Sequence, residues 1–165
     1  MAGLASTPRR EVGSGRCSLS GRARRSVEHG SLSPDEVRSL LACGGPGRIG
    51  ASINALPAVV PTNYLYFGGS LICASDDELV VHAAEHTAIL ALSADRTDAC
   101  GLWQWHVHVV GKSEMVTDDQ TRSELAMLGL LSPSGQTPSQ CIRLHPDILT
   151  GFHFVSAGSP APGGS

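Results

Sequence analysis

Leu56-Pro57-Ala58-Val59-Val60-Pro61-Thr62-Asn63-Tyr64-Leu65-Tyr66-Phe67-Gly68-Gly69-Ser70-Leu71-Ile72-Cys73-Ala74-Ser75 is the stretch on which the fold turns. Val59, Val60, Tyr64, Tyr66 and Phe67 favour an extended pleat, and Gly68-Gly69 supplies the positive φ angles of a two-residue turn. The stretch is therefore a long β-hairpin. Pro61 has no N–H to give a ladder, so its strand must lie at an edge or carry a bulge there. Beyond the hairpin, Ser75-Asp76-Asp77-Glu78 has the S-x-x-E form of a capping box and predicts a short helix over residues 76–85. A hairpin running into a helix N-terminus gathers backbone N–H groups at a strand end, a geometry suited to anions.

Upstream, Ser33-Pro34-Asp35-Glu36 combines an N-cap serine, proline at the first helical position and a capping-box glutamate. Val37, Leu40 and Leu41 give that helix an apolar face, and Gly44-Gly45-Pro46 ends it. Arg48–Ile53 then reads as a strand. Downstream, Ala88–Ser93 is an almost unbroken apolar run, as expected of a buried barrel strand, with a loop from Asp95 to Gly101. Leu102–Val116 is the longest strand candidate. Trp103, Trp105, Val107 and Val109 fall on one face, Gln104, His106, His108 and Val110 on the other, and Gly111 marks a bend or bulge. Thr117–Gln120 is a T-x-x-Q box opening a helix through Leu131. Cys141–His145 and Thr150–Phe154 are two short closing strands. Short strands joined by turns, with three brief helices, predict a mainly β protein: an antiparallel barrel decorated with helices.

The chain of 165 residues is long enough for one domain with a core, and its net charge is −3. Six arginines and two glutamates in residues 1–30 give that stretch a charge of +4, leaving −7 on the rest. Residues 1–30 are rich in Ser, Gly and Arg without periodicity and read as a disordered arm. Residues 31–155 form the domain and 156–165 a disordered tail. An acidic domain carries no footprint for nucleic acid, and no apolar run approaches a membrane span. Five scattered cysteines without a C-x-x-C pair predict reduced thiols in a cytoplasmic protein.

From Ser33 to Phe154 the order of these pieces resembles the FMN-binding split β-barrel superfamily, specifically pyridoxamine 5′-phosphate oxidase-like proteins of actinobacterial type. The resemblance rests on Gly47-Arg48-Ile49-Gly50, Pro57 to Tyr64, the Gly68-Gly69 turn, Trp105 to Gly111, Val116-Thr117-Asp118, and Ile142-Arg143-Leu144 through Thr150-Gly151. It implies a split barrel that dimerises with itself and holds FMN, or a deazaflavin, in a cleft between protomers, where a small-molecule substrate is oxidised or reduced. Some relatives bind haem. By the same resemblance Pro61, Thr62, Asn63, Tyr64, Ala74, Ser75 and Trp105 line the cofactor, and His106 or His108 relays a proton. The chain departs from the pattern at three places. Where relatives carry an Arg-Thr pair and then a Ser/Thr-Lys pair, it has Cys73-Ala74-Ser75-Asp76-Asp77-Glu78, whose carboxylates repel a phosphate. Val110 stands in place of an arginine, and Gly151-Phe152-His153 in place of Gly-Arg-Arg. These losses favour a second expectation, a cofactor-free barrel used as a binding module or a non-redox enzyme.

Other residues have plainer readings beside the functional ones. His106 and His108, two apart on one strand face, have the spacing of a metal pair, as do His82 and His86 on a helix, but a barrel mouth and a solvated helix face account for them. No metal is expected. Trp103 and Trp105 suit a core or a dimer interface. Strand propensity accounts for Tyr64 and Tyr66. Arg48 and Arg143 are rare cations that would meet an anionic ligand if one binds.

Overall fold

The computed structural model describes residues 27–53, 55–98 and 103–156. In chain order the elements are β1 (Val27–Ser31), α1 (Pro34–Leu41), β2 (Gly45–Ile53), β3 (Leu56–Phe67), β4 (Ser70–Ala74), α2 (Glu78–Glu85), β5 (Ile89–Thr97), β6 (Trp103–Met115), α3 (Asp119–Met127) and β7 (Cys141–Ser156). Every strand pairing is antiparallel. The order β7-β4-β3-β2-β5-β6 closes on itself because β6 also pairs with β7, which makes a six-stranded barrel with β1 attached to β7. The expected mainly β barrel with three short helices is the observed fold.

The hairpin forms as its sequence dictates. Gly68 and Gly69 sit at φ 59° and 82°, the left-handed pair a tight turn needs. β4 reaches only as far as Ala74 opposite Asn63, so at Pro61 the strand is paired on the β2 side alone, through Arg48. Proline's missing N–H costs no ladder bond on that open side. Gly111 occupies the register shift between β6 and β7, where a Cβ would collide with the backbone carbonyl of His145.

Several boundaries differ from expectation, each for an identifiable reason. Residues 27–30, read as the end of an arm, belong to β1, which pairs with residues 152–156; residues 1–26 and the tail beyond 156 lie outside the described residues. β7 is one 16-residue strand rather than two short ones. Asp147 is skipped in the register, Val110 facing Ile148 and Gly111 facing Pro146, so the Pro-Asp pair is a bulge within a strand. That makes β7, not β6, the longest. β5 runs to Thr97, through part of the expected loop, and its burial alternates instead of being continuous: Leu90, Leu92 and Ala94 point inward while Ile89 and Ala91 are exposed.

Two helix starts shift as well. Ser33 does form the reciprocal box with Glu36, but α2 and α3 are capped by Asp77 and Asp118. The Ser75 N–H is still bound to the Gln140 carbonyl at 3.3 Å, so helical geometry begins only after it. An aspartate cap also sets a negative charge at the positive end of the helix dipole. α3 stops at Leu128 instead of reaching Leu131. Gly129 at φ 79° ends it, with Gly129 N–H bound to the Ala126 carbonyl and Leu130 N–H to the Leu125 carbonyl, a Schellman arrangement.

The barrel interior is filled by Ile49, Tyr64, Leu71, Leu90, Leu92, Val107, Val109, Ile142 and Leu144, with Val37 and Leu41 of α1 and Val80, Ala83 and Ala84 of α2 closing it. Full burial of each such aliphatic contributes about 2 kcal/mol relative to exposure. A second cluster lies outside the barrel, where α3 covers Ile72, Ala74 and Cys141 with Leu125 and Leu130. No helix is long and apolar enough to cross a membrane among the described residues.

Candidate functional site

Register assigns the outward residues of the uncovered part of the barrel. Pro61, Arg48, Ser93, His108 and Thr150 form one row across β3, β2, β5, β6 and β7; Asp95, His106 and Phe152 form the next, and Thr97, Gln104 and Phe154 the one after. Directly opposed residues share a face of the sheet, so these side chains form a continuous surface. It holds two open troughs that meet at Asp95. One, of about 340 Å³, is lined by Pro46, Gly47, Arg48, Pro61, Thr62, Asn63, Asp95 and Pro133. The other, of about 480 Å³, runs from Asp95 past His106 to Phe152 and Phe154.

The polar groups of this face engage one another. The Arg48 guanidinium lies 3.4 Å from the Asp95 carboxylate, both largely exposed, so the pair is weak and can be displaced. Asn63 donates through Nδ2 to the carbonyls of Leu131 and Ser132 at 3.0 and 3.2 Å, which ties the trough wall to the loop after α3. His106 Nε2 and His108 Nε2 are 2.8 Å apart with their rings edge to face. One nitrogen must donate and the other accept, so the contact holds one proton. Burial, and then the neighbouring His106, holds His108 below the ordinary imidazole range. Phe152 and Phe154 are 44% and 37% exposed, and Val59 and Ile148 are bare too.

The expected site residues divide into those at this face and those beneath it. Pro61 and Asn63 line a trough, and His106 and His108 stand beside it. Thr62 is buried and its hydroxyl donates to the Ala74 carbonyl at 2.7 Å. Tyr64, 1% exposed, lies inside the barrel, where burial pushes its phenol up to about 12. Trp105, 4% exposed, packs in the same core under the Arg96 guanidinium and reaches only the floor of the second trough. Ala74 and Ser75 are buried at the end of β4. Arg143, the other candidate cation, is 3.6 Å from Glu114. Sequence reading missed Asp95, which it placed in a loop, and also Pro46, Pro133, Phe152 and Phe154. For the two phenylalanines the signal was present: aromatics two apart on a strand share a face.

The N-terminus of α2, the expected anion seat, fills itself. The Asp77 carboxylate accepts from the N–H groups of Leu79 and Val80 at 3.0 and 3.3 Å, and Ser75 Oγ accepts from the Asp77 N–H at 3.2 Å. Asp76 accepts from the Ser139 N–H and hydroxyl. No Lys or Arg lies in residues 73–80. These residues do not fit a phosphate, whereas the trough offers a flat proline-lined wall and one displaceable cation. A further hollow, about 530 Å³ between α3 and residues 137–141, holds no histidine and its Arg122 is already bound to the Ser139 carbonyl.

Comparison with known proteins agrees with this architecture. A sequence model for pyridoxamine 5′-phosphate oxidase matches residues 33–152. An uncharacterised protein of Mycobacterium tuberculosis is 31% identical over 140 residues, covering 81% of this chain and 89% of its own. Among solved structures, an FAD-binding protein of Mesorhizobium loti superposes with a TM-score of 0.66 at 19% identity, over 79% of this chain and 100% of that one. An FAD-binding protein of Mycobacterium smegmatis gives 0.60 at 24% identity, over 76% and 98%. These two likenesses establish the fold, and the family match establishes kinship: the chain belongs to the pyridoxamine 5′-phosphate oxidase family.

Proposed function

We propose that this protein is a homodimeric flavin-binding member of its family, acting on a small molecule in a cleft between protomers. The observation that carries this reading is the uncovered face itself: aromatic, open and continuous with two troughs. A second copy laid on Phe152, Phe154, Ile148 and Val59 would convert the troughs into an enclosed cleft. The FAD-binding character of the Mesorhizobium and Mycobacterium neighbours supports the same cofactor class. FMN or a deazaflavin, when bound, supplies hydride transfer. This chain's own part is positioning. Pro46, Pro61 and Asn63 give a planar ring a wall, Arg48 leaves Asp95 to meet an anionic group, and the His106–His108 pair holds a proton at the edge of the cleft.

One specific observation favours a second reading, a barrel that binds a small molecule without flavin: the anion seat at α2 is closed by Asp77. An absorption spectrum of the purified protein, then titration with FMN, FAD and a deazaflavin, separates the two. A flavin band, or binding at micromolar concentration or tighter, is expected. Arg48→Ala should then weaken binding by about tenfold, the value of one charge-assisted contact. No band and no binding of any of the three near millimolar concentration would overturn the flavin reading and leave the pocket reading.

A further inference from the structure

On α2, away from the troughs, Val80, Ala83 and Ala84 are buried and His82, Glu85 and His86 are exposed. The H-x-x-E-H spacing sets the three exposed residues on one turn of helix. Each offers one ligand atom, and the three atoms lie within 4.8 Å of one another. The two imidazole rings stand 4.3 Å apart, tilted by 51°.

Two further features prepare this cluster. His86 is the C-cap, and its Nδ1 lies 2.8 Å from the His82 backbone carbonyl. A carbonyl can only accept, so Nδ1 carries the proton and Nε2 keeps its lone pair, the way a carbonyl behind a metal-bound histidine fixes its tautomer. The cluster also stands at the C-terminus of the helix, the negative end of its dipole, which favours a cation. The frame is fixed: Thr87 takes φ 51°, unusual for a β-branched residue, while its N–H binds the Ala84 carbonyl and the Ala88 N–H binds the Ala83 carbonyl.

The geometry points to a binding site for one divalent transition-metal ion, held by an imidazole nitrogen of His82, Nε2 of His86 and a carboxylate oxygen of Glu85. Two nitrogens and one oxygen suit zinc, with water completing a tetrahedron; calcium and magnesium prefer all-oxygen sets. The site shares no residue with the troughs. Its ion would bind the last turn of α2 to its cap and thereby stabilise the helix that closes the barrel.

The test is calorimetric titration of Zn²⁺ into untagged, metal-stripped full chain, with circular dichroism to check the fold of each variant. One ion per chain at micromolar affinity is expected, unaffected by millimolar Mg²⁺ or Ca²⁺, with a rise in Tm on saturation. His82→Asn or His86→Asn should each weaken binding at least tenfold, since losing a ligand costs no less than the roughly 10–100-fold of losing a supporting hydrogen bond. The double variant His106→Asn/His108→Asn should bind as the parent does. No binding at about 100 µM Zn²⁺, binding that survives His82→Asn/His86→Asn, or binding lost with His106 and His108 would each overturn the site.

Discussion

The two halves of β7 meet opposite fates on their outer sides. Around Cys141 the outward surface, continued by Ala74 and Ile72 of the neighbouring strands, is covered by Leu125 and Leu130 and reaches core-like burial. From Ile148 to Phe154 the outward side of the same strand is bare, although its residues are larger. Among the described residues, α3 covers one apolar face and no helix covers the other. Two aromatics on an open sheet face, beside a histidine pair and two troughs, form the surface that the proposed second copy would cover. On the proposed reading, the covered half bears on the stability of the single chain and the bare half on association.

The sharpest way to break that contrast is Leu125→Ala. It removes a fully buried side chain from the outer cluster and the apolar partner of Leu130 at the Schellman turn. A cost of about 3 kcal/mol is expected, within the usual range for such truncations, read as a lower urea midpoint at unchanged slope. If the midpoint barely moves, α3 is a dispensable cover and the contrast fails.

The elements set by local rules were the more legible in sequence. The hairpin, the Gly-Gly turn, the first capping box and the inward face of β6 follow from local rules, and each survives in three dimensions. The errors arose where local patterns have more than one solution. An apolar run such as Ala88–Ser93 looks the same whether a strand is buried on both faces or one, because only the tertiary cover decides. Ser75 and Thr117 head capping patterns, yet an aspartate nearer the helix took the role in each case. The site was only partly legible for a related reason. Period two assigns His106 and His108 to one face, but nothing local pairs them with Asp95 and Arg48 on other strands or puts Tyr64 and Trp105 inside the barrel. Those placements are set by register, which is a long-range property.

Phe152→Glu probes the bare half. Within one chain it should change stability by no more than about 0.5 kcal/mol, as an exposed substitution does. In the proposed dimer it buries an unpaired carboxylate where an aromatic anchor stood, and the dissociation constant should rise by roughly 30-fold or more. Light scattering across a dilution series measures the second effect and urea unfolding the first. A variant that dimerises unchanged would mean that the bare half is not an interface.

The smallest expected effect comes from the histidine pair at the centre of that face. Burial and His106 hold the folded-state pKa of His108 below its unfolded value, so the unfolded chain takes up the proton first as pH falls. The associated stability is fully present above the ordinary histidine range, about 6.5, and is lost as pH drops through the depressed folded value. His108→Gln cannot take that proton, so the difference in Tm between parent and variant should change in the variant's favour between about pH 7.5 and pH 5. A parallel pair of curves would show that the pair contributes nothing. The comparison becomes sharper with concentration. A second subunit would bury His108 further and strengthen the desolvation that already lowers it. In the proposed dimer, acid should therefore separate the subunits before it unfolds the chain, and Leu125, beneath its helix, should stay covered while Phe152 is released.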